Sequence, residues 1–441
     1  MSKTLLNAPI FAVVSYLLIG VSIATFGPLE YEGYRHVLVA TYITFVVIFL
    51  IVGFMLGSRT KAPTRAIWRK DQNQAILSFI FWASLAVSTL FITFELLTMV
   101  ISGGLNFNLA NSANSYFDSY TNYTRNSGNY SMHFIVTSIG ALPLFIAQVL
   151  GIFYFKNLGR ASHVAVIFLF IATLLVYTLG AGKMKQLADL LIIVVSVVIA
   201  KQAMMGKLRL LVLLKVGAVL FVGVSILLAI ISFRYQAIGI DLVNLNDRLN
   251  TLIHYRDGYW LEGALSEALA FPIVMFSGYL SQGYFGLSLS LEQPLTWTFF
   301  AGSSYSISVI LNQFFGAEFW VTQNYPYLVG YATGWDQSKW HTVFSWLASD
   351  LTFTGVVVFM GMIGFIYGRV WREILLYKNP FSILVFTMMN IGFVYAPANN
   401  QLMHSPGLLL TTMVTLLFYF IFHANFNAAP TVLKKLSFRI K

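Results

Sequence analysis

Long apolar runs alternate with short polar segments along the whole chain, and this pattern predicts a bundle of membrane-spanning helices. A helix that crosses a bilayer needs about 20 mostly apolar residues. Residues 1–441 are therefore expected to form a single integral membrane domain, an all-α polytopic membrane protein. The predicted spans are 8–26, 37–57, 76–101, 132–155, 162–181, 186–204, 210–232, 342–366, 381–399 and 407–424.

The largest predicted loop, residues 233–341, has a pattern of its own. Within 241–257, leucines recur at spacings of three and four, which predicts an amphipathic helix lying on the membrane. Residues 264–291 are apolar but interrupted by proline and glycine, so neither half is long enough to cross alone. We expect a re-entrant or surface-lying hairpin there; if this segment crossed twice instead, the chain would have about twelve spans.

The distribution of charge predicts the orientation. The chain is 58% hydrophobic and 10% charged, whereas a soluble domain has about a quarter charged residues. If the N-terminus is cytoplasmic, the majority of the 27 lysines and arginines fall on the cytoplasmic side, as the positive-inside rule requires. The net charge of +11 then reflects topology, and no nucleic-acid partner is expected. The expected cytoplasmic segments are 58–75, 156–161, 205–209, 367–380 and the C-terminal 425–441, and the expected long outer loops are 102–131 and 233–341.

The residue types restrict the available chemistry. Cysteine is absent, which excludes disulfides, thiolate metal sites and a cysteine nucleophile. Neither a His-Glu-x-x-His metal motif nor a glycine-rich phosphate loop occurs. We therefore expect no metal and no cofactor, so that any chemistry depends on side chains at the outer face.

Two lysines stand on the predicted outer side, against the general bias of charge. Lys183 and Lys185 lie in the short segment between the spans 162–181 and 186–204. Lys185 and Asp189 are four residues apart, so they could pair on one helix face. Alternatively, the lysines could hold an anion beside a helix N-terminus. Both interpretations are open from the sequence.

The large outer loop adds further cations and candidate bases. Cations at headgroup level suit a diphosphate carried on a lipid, which arginine can grip with two hydrogen bonds. A histidine or carboxylate nearby could take a proton from an incoming hydroxyl, while Asp350, inside a predicted span, is expected to bond a neighbouring helix. The candidate cations are Lys183, Lys185, Arg234, Arg248, Arg256 and Lys339, and the candidate bases are His254, His341, Asp247, Asp257 and Asp336.

Three stretches resemble the Wzy-type O-antigen and capsular repeat-unit polymerases and, more distantly, the O-antigen ligases. They are SGYLSQGYFGLSLSL (277–291), GAGKMKQLADLL (180–191) and HTVFSWLASDLTFTG (341–355). The resemblance implies transfer of a growing glycan from undecaprenyl diphosphate onto an incoming lipid-linked repeat unit, at the periplasmic face of the bacterial inner membrane. The implied partners are undecaprenyl-diphosphate-linked oligosaccharides, membrane lipids and a chain-length-regulating co-polymerase.

The resemblance also assigns roles to individual residues. In such polymerases, basic residues of two outer loops hold the diphosphates. Lys183 and Lys185 stand in the first loop, where arginine is commoner, and Arg234 and Arg256 match the basic positions of the second. His341 matches a histidine that precedes a late span in the related ligases and is a candidate base there. The resemblance thus gives His341, Arg234 and Arg256 as the predicted catalytic residues. The predicted diphosphate-binding residues are Lys183, Lys185, Arg248 and Lys339, and the alternative bases are Asp336, Asp257 and His254.

Other classes of function fit parts of the pattern. An O-antigen ligase would use the same chemistry, and a lipid-phosphate-sugar glycosyltransferase often has acidic residues in its first outer loop, where Glu30 and Glu32 stand. A flippase for lipid-linked units would be expected to show internal repeats and midplane sites on broken helices, and no repeat is visible. A purely structural scaffold would not explain the gathered cations and bases.

Overall fold

The computed structural model describes residues 3–60, 70–101, 132–206, 208, 210–377 and 379–422. The predicted loop 102–131 and the predicted C-terminal segment 425–441 lie outside the described residues, as do residues 61–69 of the predicted cytoplasmic segment 58–75. The elements are α1 Lys3–Phe26, β1 Leu29–Tyr31, α2 His36–Arg59, α3 Lys70–Ile101, α4 Met132–Tyr154, α5 Arg160–Thr173 with a π-helical continuation Leu174–Gly180, α6 Met184–Met204, α7 Leu210–Ala237, α8 Leu245–Arg248, β2 Ile253–Tyr255, α9 Leu261–Ala264, α10 Glu267–Ser290, α11 Tyr305–Phe315, α12 Phe319–Thr322, α13 Tyr325–Thr333, α14 Val343–Tyr377, α15 Pro380–Tyr395, α16 Gln401–His404 and α17 Pro406–Phe422.

Long apolar helices dominate the described part of the chain. Eight of them are long and apolar enough to cross a membrane, namely α1 to α7 and α14. The last two predicted spans correspond to α15 and α17, which have 16 and 17 residues and are shorter than the usual spanning length of about 20. The predicted fold class is confirmed: the chain is an all-α, multi-pass membrane protein.

Helices α2 and α14 pack unusually closely because glycines face each other across their contact. A Cβ atom on Gly53 would overlap the carbonyl oxygen of Gly361, and a Cβ on Gly57 would overlap that of Phe365. Small residues let two helix backbones approach within a membrane, where dispersion contacts supply much of the association energy. The close contact between α2 and α14 therefore joins the N-terminal half of the bundle to the C-terminal half.

Replacing Gly57 by alanine should destabilise the protein by about 1–3 kcal/mol, because the added methyl group forces the two backbones apart. Thermal unfolding of the purified protein in detergent measures the effect. Gly217→Ala is the matched control, since a Cβ on Gly217 of the spanning helix α7 meets no atom within 4 Å. Equal losses of stability in the two variants would contradict this account of the α2–α14 contact.

The prediction of a hairpin at 264–291 is wrong, because the segment is one continuous helix, α10. Its glycines serve close packing and not turns. A Cβ on Gly283 would overlap the carbonyl oxygen of Pro397, and one on Gly286 would lie 2.7 Å from the carbonyl oxygen of Trp340. The interruptions in the sequence therefore mark the places where other backbone segments cross α10.

The prediction of an amphipathic helix over 241–257 is also wrong. The structure has a single helical turn, α8, followed by β2, which pairs antiparallel with β1 and places Glu30 opposite His254. The Asn246 side chain accepts a hydrogen bond from the Tyr255 backbone amide at 2.6 Å. The strand has buried residues on either side of an exposed histidine, and its partner lies more than two hundred residues away, so leucine spacing alone could not reveal it.

The expected cytoplasmic loop 367–380 is mostly helix, since α14 continues to Tyr377. Two of its charged residues, Arg369 and Glu373, have partners within the protein. Arg369 lies 3.3 Å from the buried carboxylate of Glu373, which also accepts hydrogen bonds from Ser382 at 2.9 Å and Tyr419 at 3.0 Å. A helix can extend through charged residues when they have partners of this kind.

Four segments lie at one end of the spanning helices, which we call the loop face: residues 27–35, 181–183, 238–342 and 396–405. A second, small hydrophobic core lies there, with buried residues Tyr31 of β1, Ile231 of α7, Phe271 of α10 and Trp335. This core joins the strands, the end of α7 and the start of α10. The loop face is therefore packed, and its helix α10 also enters the main core of the bundle, where the Tyr284 hydroxyl donates to the Leu17 carbonyl oxygen at 3.1 Å.

Candidate functional site

The first part of the site is the turn between α5 and α6. The helix widens into a π-helix over Leu174–Gly180, a feature that is rare and frequently found at functional sites. The Ala181 amide then donates to the Val176 carbonyl at 3.1 Å and the Lys183 amide to the Tyr177 carbonyl at 2.9 Å. Gly182 has a positive φ of 65°, as the tight turn requires. These bonds fix Lys183 at the start of α6.

Arg234, in the last turn of α7, binds directly to this turn. Its Nη2 donates to the Gly182 carbonyl oxygen at 2.5 Å, and the side chain is only 6% exposed. Arginine suits such a site because its planar fork can donate in more than one direction. The structure thus brings together two basic positions, Lys183 and Arg234, that the sequence places in different loops.

Lys185 forms an ion pair with Asp189, which is one of the two possibilities that the spacing of four residues predicted. Its Nζ lies 2.5 Å from Asp189 Oδ2 and 5.7 Å from the centre of the Tyr395 ring, while the Tyr395 hydroxyl donates to the Lys185 carbonyl at 3.3 Å. Lys183 is exposed, although the surrounding protein and then the charge of Lys185 lower the pKa of its ammonium. Of the two lysines, Lys183 is therefore the one that remains accessible to an anion.

His404, which the sequence analysis did not single out, lies beside these cations. Its ring stacks on Tyr305 with centres 5.2 Å apart and planes at 20°, and it meets the edge of Trp346 at 6.3 Å. Burial, and then the positive charge of Lys185, lower the pKa of His404 to about 4. The imidazole is consequently neutral near pH 7, which is the form that accepts a proton.

We call Lys183, Lys185 and Arg234 the cation cluster. Asp350 of α14 supports the loop that holds His404 beside this cluster. The Asp350 carboxylate accepts four hydrogen bonds from one loop: from the Thr298 hydroxyl at 2.5 Å, the Phe300 amide at 2.9 Å, and the Ser303 amide and hydroxyl at 2.7 and 2.6 Å. Asp350 was expected to bond a neighbouring helix, but its partners lie in this loop, which joins α10 to α11.

The loop that Asp350 holds is strained and is bonded to the turn that carries His404. Phe299 and Phe300 both have positive φ angles, 53° and 65°, which bulky residues adopt only when the surroundings enforce them. Further along, the Ser304 hydroxyl donates to the Met403 carbonyl at 2.6 Å and the Ser306 hydroxyl to the His404 carbonyl at 2.7 Å. Asp350 therefore fixes the position of His404 through one short segment.

Arg256 lies apart from the cation cluster, at the end of α1. Its Nη2 donates to the Thr25 carbonyl at 3.2 Å, and its Nε lies 3.7 Å from the carboxylate of Glu30. The remaining predicted residues are exposed, and within the described residues none of them shares a hydrogen bond or ion pair with the cation cluster. These residues are Arg248, His254, Asp257, Asp336 and Lys339.

His341 is buried within the loop face, with an exposed fraction of 0%. Its Nε2 lies 3.0 Å from the Asp336 carbonyl oxygen, and its Nδ1 has no hydrogen-bond partner. Burial lowers the pKa of His341 to about 4. In this conformation the ring packs against the neighbouring backbone and is not open to an incoming hydroxyl.

The buried His341 predicts a pH dependence of stability. The unfolded chain takes up a proton below the ordinary pKa of 6.5, but the folded protein resists it, so stability is complete above about pH 6.5 and falls as the pH approaches 4. Between pH 7.5 and pH 5 His341 should contribute about 2 kcal/mol to this loss, and His404, whose pKa is also about 4, should contribute a similar amount. Thermal unfolding at the two pH values measures it. His341→Asn should remove the His341 part of the pH dependence, and an unchanged dependence in the variant would contradict this assignment.

Comparisons with protein-family models, with curated proteins and with solved structures found no match. Among the described residues, no group of three or more histidine, aspartate or glutamate side chains is arranged to hold a metal ion. The fold and the site together define a multi-pass membrane protein with a cation cluster and a neutral histidine at one end of its helices.

Proposed function

We propose that the chain is a polymerase of lipid-linked oligosaccharide repeat units, acting at the periplasmic face of the bacterial inner membrane. The observation that carries the proposal is the bond from Arg234 to the Gly182 carbonyl, because it joins two basic segments beside His404. The excess of lysine and arginine in the opposite loops supports a periplasmic loop face. The resemblance of three stretches to the Wzy-type polymerases supports the substrate class.

The reaction needs a stabilised leaving group. When the glycosidic bond to the carrier breaks, the lipid diphosphate departs with the electron pair of that bond. Fixed cations stabilise the charge that develops, and they do so best where they are already in place before the reaction. Lys183 is accessible for this role, while Arg234 holds the turn on which Lys183 stands. No step requires a bound metal.

The reaction also needs a base for the acceptor. His404 takes the proton from the attacking sugar hydroxyl as the new glycosidic bond forms, and it is neutral and therefore ready to do so. A diphosphate bound at the cation cluster would oppose the charge of Lys185, which lowers the pKa of His404. The imidazole would then become a stronger base when substrate is present. In this proposal His404 takes the role that the sequence analysis gave to His341.

Deletion of the gene in its host, followed by gel electrophoresis of the surface glycan, tests the proposal. A polymerase predicts glycan that stops at a single repeat unit, and the full ladder should return when the gene is restored. Bare core with polymer accumulating on the carrier lipid would contradict the proposal and indicate a ligase. Bare core with single units confined to the cytoplasmic leaflet would contradict it and indicate a flippase.

A further inference from the structure

A lipid-facing groove with a volume of about 610 Å³ lies between α1 and α2. Its walls run from Phe26 and His36 at the loop face to Ile48 of α2. At a helical rise of 1.5 Å per residue, the distance from His36 to Ile48 is about 18 Å, close to half of a hydrocarbon core that is about 30 Å thick. The side chains of Phe26 and Phe45 are 72% and 53% exposed along it. The groove thus has the depth of one bilayer leaflet.

At the loop face the groove adjoins a small polar pocket of about 100 Å³. Thr25 and His36 line both cavities, so the two lie side by side. The pocket is also lined by Glu30, Tyr34 and Arg256. An apolar channel that adjoins a small polar chamber has the shape of a site for a lipid whose headgroup sits at the membrane surface.

The charges in the pocket indicate which headgroup fits. Arg256 and Glu30 lie 3.7 Å apart, and their side chains are 34% and 63% exposed, so both can meet a ligand. A purely anionic headgroup would be attracted by Arg256 but repelled by Glu30. A headgroup that carries both a phosphate and an ammonium complements both side chains.

The two charged residues are also held in fixed positions. Glu30 is the central residue of β1, which pairs with β2, and the Arg256 amide donates to the Pro28 carbonyl at 2.9 Å directly after β2. The Arg256 side chain is further bound to the Thr25 carbonyl. A pocket whose charges are fixed by the backbone can select a headgroup without first becoming ordered.

We propose that one zwitterionic phospholipid with a primary ammonium headgroup occupies this groove and pocket, with an acyl chain between α1 and α2, its phosphate at Arg256 and its ammonium at Glu30. This site is separate from the cation cluster and does not rest on the proposed function. The bound lipid would attach the paired strands β1 and β2 to the surrounding bilayer.

The experiment uses the full chain in nanodiscs that contain equal amounts of phosphatidylethanolamine and phosphatidylglycerol. After gentle solubilisation, mass spectrometry counts the lipids that remain bound. The wild-type protein should retain about one phosphatidylethanolamine, enriched about fivefold over phosphatidylglycerol, which corresponds to about 1 kcal/mol. Glu30→Gln should reverse the preference towards phosphatidylglycerol, because Arg256 is then unopposed. Glu32→Gln, an exposed neighbour outside the pocket, should leave the preference unchanged.

A second pair of variants tests the groove itself. Ala40→Trp fills it, since Ala40 lines the groove, and should remove the retained lipid. Val52→Trp places the same bulk at an exposed position farther along α2 and should not. Equal retention in the Ala40→Trp and wild-type proteins would overturn the proposal. An unchanged headgroup ratio in Glu30→Gln, or a wild-type preference for phosphatidylglycerol, would overturn it as well.

Discussion

Replacing His404 by alanine should reduce polymer formation by about 10²–10⁴-fold, the usual contribution of a general base. The ring is neutral because burial and Lys185 lower its pKa to about 4, and it lies at the cation cluster, where the leaving diphosphate would be held. Quantifying the glycan ladder in cells that carry the variant measures the loss. His404→Gln should be equally inactive, since an amide hydrogen-bonds but does not take up a proton at this pH.

Two further variants make the His404 result specific. His254→Ala removes an exposed histidine of the same loop face and should leave the ladder intact. His341→Asn should change stability more than activity, because the ring is fully buried within the loop face. A full ladder from His404→Ala at normal protein levels would contradict the assignment of the base.

Replacing Asp350 by alanine should have the second large effect, on stability and activity together. Four hydrogen bonds lose their common acceptor, and buried donors without a partner cost about 1–3 kcal/mol each. The hydrogen bonds that hold Phe299 and Phe300 at positive φ angles are then missing. We expect a destabilisation of about 3 kcal/mol or more, together with loss of polymer because the His404 turn is released.

Asp350→Asn separates the two effects. The amide can still accept hydrogen bonds through Oδ1, which in the native protein binds Thr298 and Phe300, but its NH₂ group opposes the donors of Ser303. Stability and activity should therefore lie between those of the wild-type and alanine proteins. Asp247→Ala, at an exposed position, is the control for loss of a carboxylate. Unchanged thermal unfolding in Asp350→Ala would show that the loop is held by other contacts.

The membrane bundle could be predicted from the sequence because one property, apolar length, decides whether a segment can cross a bilayer. The same reasoning failed at 264–291 and 241–257. In the first segment the glycines serve contacts with Pro397 and Trp340, and in the second a strand pairs with residues 29–31. Both outcomes depend on contacts with distant parts of the chain, and the local spacing of residues carries no information about those contacts.

The candidate site could be predicted only in part for the same reason. Lys183 and Lys185 stood out because they oppose the charge bias, and Arg234 because it ends a span. Which of them meet depends on the π-helical turn and on the Gly182 carbonyl. His404 gave a weak signal, a single histidine in the short polar segment NNQLMHSPG between two apolar runs. Its position beside Lys185 follows from the packing of α16, which no sequence pattern shows.

The proposed activity of this chain is the joining of lipid-linked repeat units. The most direct measurement reconstitutes the purified protein in liposomes with lipid-linked single units and follows glycan length and released lipid diphosphate over time. The proposal predicts a ladder of polymer on the carrier lipid, with one diphosphate released per bond formed, and no ladder from the His404→Ala protein. Single units that stay unchanged in length, while active controls in the same liposomes elongate them, would contradict it.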